Sequence, residues 1–239
     1  MPPGGDAMTY QWVDCDRDSI ARRYDHLAPY IKLLEWALWI PAGLRRKAVE
    51  ALELGRGDRV MEIGCGTGRN LGFLREAVGP SGRVYGVDLS AGMLAKARAL
   101  CARSGWKNLS LVRSEALVYS APERLDGILF SLSYNTMPHH RAVLRHALAQ
   151  LRPGGRIVIM DAKLPSGNFG QRILPFSLWL MKQTFLGNPL IRPWEHLAAD
   201  TREFEMRTFL FDSYYICRGI KPPPAASISM AAASVEMAG

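Results

Sequence analysis

A chain of 239 residues is long enough for one α/β domain with a full core and is not expected to form two. The hydrophobic share of 48% and the charged share of 22% are typical of a soluble globular protein. Lys and Arg number 30 against 22 Asp and Glu, which gives a net charge of +8 and a pI near 9.5. This excess favours an anionic partner (nucleic acid, an anionic membrane surface or an acidic substrate) without choosing among them, and it also fits a basic protein that has none.

The cysteines do not follow a metal-binding or disulfide pattern. Four are scattered along the chain, and none forms a CxxC pair: Cys15, Cys65, Cys101 and Cys217. We therefore predict neither a zinc site nor a disulfide framework, and we expect no metal. A reducing cytosol is compatible with this usage.

Residues 1–18 are predicted to form a flexible leader, because several acids and no apolar run exclude a secretory signal. The longest apolar stretch, 173–191, is interrupted by Pro175, Lys182 and Pro189. A membrane span needs about 20 nearly unbroken apolar residues. The sequence therefore predicts a cytoplasmic chain, with peripheral contact to the inner membrane face as a possible addition.

Residues 19–53 are predicted to be helical, with an interruption at Pro41 and Gly43. Strands and helices then alternate. Strands are predicted at 59–63, 84–87, 109–113, 125–131 and 156–160, and helices at 70–78, 91–104 and 139–151. Such alternation predicts a parallel sheet built from right-handed crossovers. A tight turn is expected at 152–155, before the fifth strand.

The rest of the chain departs from this alternation. Residues 164–200 are predicted to form an apolar insertion or lid. Residues 204–211 and 214–219 are predicted to form adjacent strands, which would give one antiparallel strand at the end of the sheet. The Pro-rich and Ala/Ser-rich residues 221–239 are expected to be disordered, which leaves 19–220 as the folded domain.

A glycine loop, Gly64-x-Gly66-x-Gly68, follows the first strand and precedes a helix. Glycines allow a ligand to approach the backbone closely, and a helix start offers free N–H groups. Asp88 ends the next strand, where a carboxylate can accept hydrogen bonds from both hydroxyls of a ribose. The GxGxG spacing and the preceding Glu62 disfavour a pyrophosphate, and hence a dinucleotide.

The segments 60–68 and 86–90, with Met93 and the run 151–155, resemble the class I S-adenosylmethionine-dependent methyltransferases. The resemblance covers roughly residues 20–220. It implies a Rossmann-like, three-layer α/β/α fold whose seven-stranded sheet is mostly parallel with an antiparallel last strand. It also implies S-adenosylmethionine as the cofactor.

The resemblance carries cofactor roles to particular positions. Gly64 and Gly66 would pass close to the methionine part, Asp88 would bind the ribose, Leu89 and Met93 would flank the adenine, and Ser131 would lie near the amino group. Glu62, Cys65 and Gly68 belong to the same loop. Many relatives place an Asp after the third strand; here the matching stretch is Ser114-Glu115-Ala116, so Glu115 and Ala116 become the candidates. Simple alternatives stay open: Met93 as a helix-packing residue, and Asp88 as a helix cap.

The loop after the fourth strand, 130–139, is where the acceptor is expected, because ligands gather at the carboxyl ends of strands. It lacks the Asn-Pro-Pro-Tyr and Pro-Cys motifs of common nucleic-acid methylases, so nucleic acid is not the expected partner. The loop resembles that of the phosphatidylethanolamine and betaine-lipid N-methyltransferases. The segment 23–29 resembles one shared by those enzymes and the quinone C-methyltransferases. The resemblance thus implies a lipid amine head group, with C- or O-methylation of a quinone or another apolar molecule as the alternative.

Three residues are candidates for the catalytic step. Tyr24 would close over the cofactor, Tyr134 would offer an aromatic face to a product cation, and His139 would act as a base. Each has a plainer explanation as a packing or surface residue. Asp161 would face the acceptor or hold a turn. A binding module that holds the cofactor without transferring methyl also stays open, as does contact of the apolar, cationic segments with an anionic membrane.

Overall fold

The computed structural model describes residues 17–30, 40–41, 43–164 and 191–224. Seven strands within these ranges form one sheet, in the order β3-β2-β1-β4-β5-β7-β6. The strands are β1 Arg59–Ile63, β2 Arg83–Asp88, β3 Leu109–Arg113, β4 Leu125–Ser131, β5 Leu151–Ala162, β6 Arg202–Phe209 and β7 Tyr214–Ile220. The helices are α1 Arg17–Leu27, α2 Leu44–Glu50, α3 Leu71–Val78, α4 Ala91–Arg103, α5 His140–Gln150 and α6 Pro193–Asp200, with short 3₁₀ turns at Ala28–Tyr30 and Tyr134–Thr136.

Strands β1 to β5 pair in parallel, β7 is antiparallel to β5, and β6 is antiparallel to β7. This confirms the predicted mostly parallel sheet with one antiparallel strand. The chain starts at β1 in the centre, moves outward to β3, and then returns to place β4 on the other side of β1. The sheet order reverses between β1 and β4, and ligands of such sheets bind at that reversal, beyond the carboxyl ends of the strands.

Helices cover both faces of the sheet, which explains why its central strands are apolar on both sides. One face packs on α2, α3 and α4 through Leu44, Leu74 and Leu94. The other packs on α5 and α6 through Leu144 and Leu197. These two apolar layers hold the carboxyl ends of β1, β2, β4 and β5 at one edge, which is called the carboxyl edge below.

The predicted strand 204–211 is β6 at Arg202–Phe209, and one predicted turn is replaced by a strand. The turn expected at 152–155 is part of β5, which begins at Leu151 and pairs with β4 through a register shift between Leu125 and Gly127. The backbone N–H of Gly154 donates to the carbonyl of Lys221, and the N–H of Lys221 donates to that of Gly155. The stretch 152–155 is therefore held by the sheet and by the residues that follow β7.

Four predicted segments extend outside the described residues. They are residues 1–16 of the predicted leader, 31–39 and 42 of the first helical region, 165–190 of the predicted insertion and 225–239 of the predicted tail. Residues 17 and 18, assigned to the leader, lie in α1. No helix among the described residues is long and apolar enough to span a membrane.

Candidate functional site

The glycine loop is fastened to the neighbouring strand by backbone hydrogen bonds. The N–H groups of Gly64 and Cys65 both donate to the carbonyl of Val87, at 2.8 and 3.0 Å. The loop then closes on itself, with the N–H of Gly68 donating to the carbonyl of Cys65 at 2.9 Å. The loop is therefore fixed between the ends of β1 and β2 before any ligand binds.

Two of the glycines are required for different reasons. A Cβ on Gly64 would lie 2.4 Å from the Cβ of Ser133, so the loop after β4 packs directly on it. Gly66 has a φ of +54°, and nothing among the described residues lies within 4 Å of its Cβ position. The space that a side chain at Gly66 would occupy is therefore open, as expected where a ligand must approach the backbone closely.

Asp88 stands beside this opening. Its Oδ2 accepts the N–H of Gly66 at 2.7 Å, and its Oδ1 accepts the N–H of Ser90 at 2.9 Å. Burial raises the pKa of the Asp88 carboxyl, although the backbone donors from Ser90 and Gly66 act in the opposite direction. Each carboxylate oxygen can accept a further hydrogen bond, so the geometry fits a ligand with two neighbouring hydroxyls.

A second polar group lies on β1, the strand next to the one that Asp88 ends. Glu62 is 1% exposed, and its Oε1 accepts a 2.5 Å hydrogen bond from the Nδ2 of Asn70. Its other oxygen, Oε2, has no hydrogen-bond partner in the part of the chain that the structure describes. The Nη1 of Arg45 donates to the Oγ of Ser131 at 3.2 Å and to the Oδ1 of Asn70 at 3.5 Å.

Sequence reasoning placed Glu62 and Ser131 at the site and missed Asn70 and Arg45. Asn70 immediately precedes α3, where Asn is a common cap, and its side chain makes no capping bond. From the sequence alone an Asn at this position is interpreted as a cap, so nothing there indicated its bond to Glu62. Arg45 is separated from Ser131 by 86 residues, and only the fold brings them together.

The residues predicted to contact an adenine follow the ends of β2 and β3. The Leu89 carbonyl accepts a hydrogen bond from the Nε of Arg113 at 3.1 Å. Met93 is buried in α4, so helix packing accounts for its position as well as ligand contact does. Glu115 and Ala116 lie in the turn after β3, where the carbonyl of Glu115 accepts two backbone N–H groups. Their roles at an adenine stay predictions.

Helix α1 crosses above the carboxyl edge. The Oδ1 of Asp25 accepts the hydroxyl of Ser90 at 2.5 Å and the N–H of Gly92 at 2.8 Å, which ties α1 to the start of α4. The pKa of Asp25 is lowered overall: burial alone would raise it, and these two donors outweigh that effect. One residue earlier, Tyr24 makes a hydrogen bond with Thr136, in the loop after β4.

Tyr24 therefore lies between the two sides of the site. Burial raises the pKa of its phenol, and the carboxyls of Asp161 and Asp88 are close enough to raise it further. The predicted closure over a cofactor is compatible with this position and stays a prediction.

The structure does not bring the other two catalytic candidates to the open side of the edge. Tyr134 is fully buried, its ring packs edge-on against Phe130, and its hydroxyl donates to the carbonyl of His140. His139 is exposed, has a φ of +51° and directly precedes α5. Both placements agree with the plainer alternatives, core packing and surface exposure, and neither assigns a part in catalysis.

Asp161 ends β5 almost completely buried. Its Oδ2 accepts the N–H of Asn135 at 3.1 Å, and its Oδ1 accepts the N–H of Ala162 at 2.8 Å. Burial raises its pKa to about 7 despite these backbone donors. Asp161 thus fixes the 3₁₀ turn that carries Thr136, the partner of Tyr24.

These groups fit S-adenosylmethionine. The open face of Gly66 and the carboxylate of Asp88 suit a nucleoside, and the unpartnered Oε2 of Glu62 suits an ammonium group. No group of three or more metal-ligating side chains occurs among the described residues. The cofactor supplies an electrophilic methyl group on a sulfonium.

Comparisons with known proteins agree with S-adenosylmethionine as the cofactor. Residues 60–155 match the methyltransferase-domain family. A demethylmenaquinone methyltransferase from Symbiobacterium thermophilum is 31% identical over 81% of this chain and 73% of its own length. Its counterpart from Anoxybacillus flavithermus is 25% identical over 82% of each chain.

The fold has solved counterparts. Phosphoethanolamine N-methyltransferase 2 from Haemonchus contortus, in complex with phosphomonomethylethanolamine and S-adenosylhomocysteine, superimposes with a TM-score of 0.70 at 15% identity. The match covers 87% of this chain and 61% of that one. At this identity the likeness extends to the fold alone. The sequence relatives show that the chain belongs to the class I S-adenosylmethionine-dependent methyltransferases, and its fold agrees.

Proposed function

We propose that this methyltransferase transfers its methyl group to an apolar ring acceptor of the quinone type, in its reduced, hydroquinone form. The observation behind this choice is the 31% identity to a demethylmenaquinone methyltransferase over 81% of the chain. The proposal reverses the order of the two acceptors expected from the sequence, because the sequence relatives are quinone enzymes.

The proposed cofactor set is the one expected from the sequence. It comprises Glu62, Gly64, Cys65, Gly66, Gly68, Asp88, Leu89, Met93, Glu115, Ala116 and Ser131. The hydrogen bonds of Asp88 and the open side of Gly66 support the central part of this set. Cys65 is buried, and burial raises the pKa of its thiol, so its part is that of a backbone donor within the loop.

Methyl transfer to a ring carbon would form a C–C bond and break the S–CH3 bond, whose electron pair stays on sulfur as a thioether, and the ring proton would then leave to a base or to water. The chain's own contribution is mainly to hold the acceptor in line and to exclude water. Tyr24 and Asp161 are titratable groups on the proposed acceptor side, and Asp161, with a pKa of about 7, can exchange a proton near neutral pH. We propose that the acceptor binds beside them, beneath α1.

A lipid amine head group is the second candidate. Its support is the resemblance of the loop 130–139 to lipid N-methyltransferases. An amine would need to be neutral to attack, and Asp161 could accept its proton in the same way. The two candidates therefore use the same side of the site and differ in the nucleophilic atom, carbon or nitrogen.

Both candidate acceptors, an apolar quinone and a lipid, partition into membranes, and two exposed aromatic residues lie at the carboxyl edge. Phe211 is 89% exposed in the turn between β6 and β7, beside the end of β5, and Tyr30 is 66% exposed just after α1. With a net charge of +8, such aromatics would suit an anionic membrane surface from which the acceptor is taken. We propose peripheral contact of this edge with anionic lipid.

The acceptor is tested with purified protein and cofactor carrying a labelled methyl group. One reaction contains a reduced, short-chain demethylated naphthoquinone, and the other contains phosphatidylethanolamine vesicles. We expect label in the quinone and none in the lipid; label in the lipid alone would replace the first candidate by the second. The variant Asp88→Ala is the negative control, and label in neither product would leave the acceptor proposal refuted for both.

Membrane contact needs a separate measurement. Co-sedimentation with anionic vesicles should decrease in Phe211→Ser and at high salt, while neutral vesicles should bind little. Equal sedimentation of variant and wild type would refute the role of this edge.

A further inference from the structure

Arg45 lies outside the family's matched segment, and its side chain nevertheless reaches the cofactor end of the sheet. It belongs to the first turn of α2, and its Nη1 bonds the hydroxyl of Ser131 at the end of β4. The family match begins only at residue 60. Arg45 therefore reaches the site from outside the segment that the family model matches.

The side chain of Asn70 connects Arg45 to Glu62. Its amide oxygen accepts from Arg45, and its amide nitrogen donates to Glu62. Asn70 is 1% exposed, so the bridge is shielded from water. A guanidinium and a buried carboxyl group are therefore held on the two ends of one neutral amide, at the reversal between β1 and β4, and an ammonium bound at the free carboxyl oxygen would favour the ionised form of Glu62.

Such a pair matches the two ends of an α-amino acid. A ligand that carries an ammonium and a carboxylate on one carbon needs an acceptor and a cation close together. Glu62 offers a buried oxygen that no described residue bonds, and Arg45 offers a guanidinium, which has five N–H donors. S-adenosylmethionine ends in such an amino-acid group.

We propose that Arg45 is a positioning residue that binds the carboxylate of the cofactor's amino-acid end, while the free oxygen of Glu62 receives its ammonium. This role depends on the family's cofactor and is independent of which acceptor the enzyme uses. In the alternative, Arg45 only compensates the charge of Glu62 and supports Ser131. The proposal and this alternative differ in one result: only under the proposal does a variant of Arg45 lose affinity specifically for ligands that carry the amino-acid end.

The experiment compares S-adenosylhomocysteine with 5′-methylthioadenosine, which keeps the adenosine and the thioether and lacks the amino-acid end. Binding to the full chain is measured by calorimetry for wild type, Arg45→Met and Arg46→Met. Arg46 is the matched control, because it neighbours Arg45 on α2 and lies instead over the ring of Phe73 on the surface.

We expect Arg45→Met to bind S-adenosylhomocysteine roughly 10- to 100-fold more weakly, the range of a lost charge-assisted hydrogen bond. Its affinity for 5′-methylthioadenosine should stay within about twofold of wild type, a change too small for a lost bond. Arg46→Met should bind both ligands as wild type does. An equal loss for both ligands, or no loss for either, would overturn the proposal.

A ligand series keeps the test valid if Arg45→Met folds poorly. Decarboxylated S-adenosylmethionine retains the ammonium and lacks the carboxylate. Wild type should discriminate against it relative to S-adenosylmethionine, and Arg45→Lys, which retains the positive charge, should discriminate less. Equal binding of both ligands by wild type refutes the role of Arg45, whereas no binding of any adenosine ligand refutes the cofactor site itself.

Discussion

Replacing Glu62 by Gln should stabilise the ligand-free protein at neutral and alkaline pH. The pKa of Glu62 is raised from 4.5 to about 8, because burial and, to a smaller extent, the nearby Asp88 raise it more than Asn70 and Arg45 lower it. The folded state therefore holds a proton that the unfolded chain releases above pH 4.5. A neutral amide of the same shape removes this pH-dependent cost.

The sign follows from proton binding. Between the two pKa values the folded state binds more protons than the unfolded state, so the free energy of unfolding of the wild type falls as pH rises. Where the folded state binds one proton more than the unfolded state, each pH unit changes the free energy of unfolding by about 1.4 kcal/mol. From pH 5 to pH 8, the stability of Glu62→Gln relative to wild type should increase by roughly 3 to 4 kcal/mol.

Urea unfolding, followed by tryptophan fluorescence at several pH values, measures this difference. Other titrating groups are common to both proteins and cancel in the comparison. A relative stability that stays constant from pH 5 to pH 8 would show that Glu62 is ionised in the folded protein. That outcome would refute the assignment of a buried, protonated carboxyl. The same variant should bind S-adenosylhomocysteine more weakly, because an amide does not offer a negative charge to an ammonium.

Three further variants test the rest of the site. Asp88→Ala should weaken both S-adenosylhomocysteine and 5′-methylthioadenosine by roughly tenfold or more, since the ribose is common to both; unchanged calorimetric affinity would contradict the ribose assignment. Asp25→Ala should loosen α1 by about 1 to 2 kcal/mol through two lost hydrogen bonds, seen as faster proteolysis within α1, and equal cleavage rates would count against this anchor. Tyr24→Phe removes the bond to Thr136 and should lower turnover with little change in cofactor affinity; turnover equal to wild type would limit Tyr24 to packing.

The order of elements was predictable because hydrophobic periodicity reports local structure. The predicted strand 59–63 matches β1, and the predicted helix 91–104 exceeds α4 by one residue. The glycine loop and Asp88 were also predictable, since each adjoins a strand whose end the periodicity fixes. The turn at 152–155 was not, because its pairing with Lys221 joins residues far apart in sequence.

Side-chain direction was the main limit at the site. The sequence placed Tyr134 in the acceptor loop, and a 3₁₀ turn directs it into the core against Phe130. Sequence reasoning missed Arg45, whose side chain the fold directs to Ser131. Neither direction follows from spacing, because each depends on which elements pack beside the residue.

The strand order β2-β1-β4-β5 distributes the groups of the site along the carboxyl edge. Asp88 ends β2, Glu62 lies on β1, Ser131 ends β4, and Asp161 lies at the end of β5. Neighbouring strands are about 4.8 Å apart, so we expect the ribose and amino-acid groups of the cofactor to occupy one half of the edge, with Asp161 at the other. Variants of the first three residues should therefore change cofactor affinity, whereas variants of Asp161 should change turnover and the KM for the acceptor. A change of cofactor affinity alone in Asp161→Asn would contradict this division, because it would place the acceptor elsewhere.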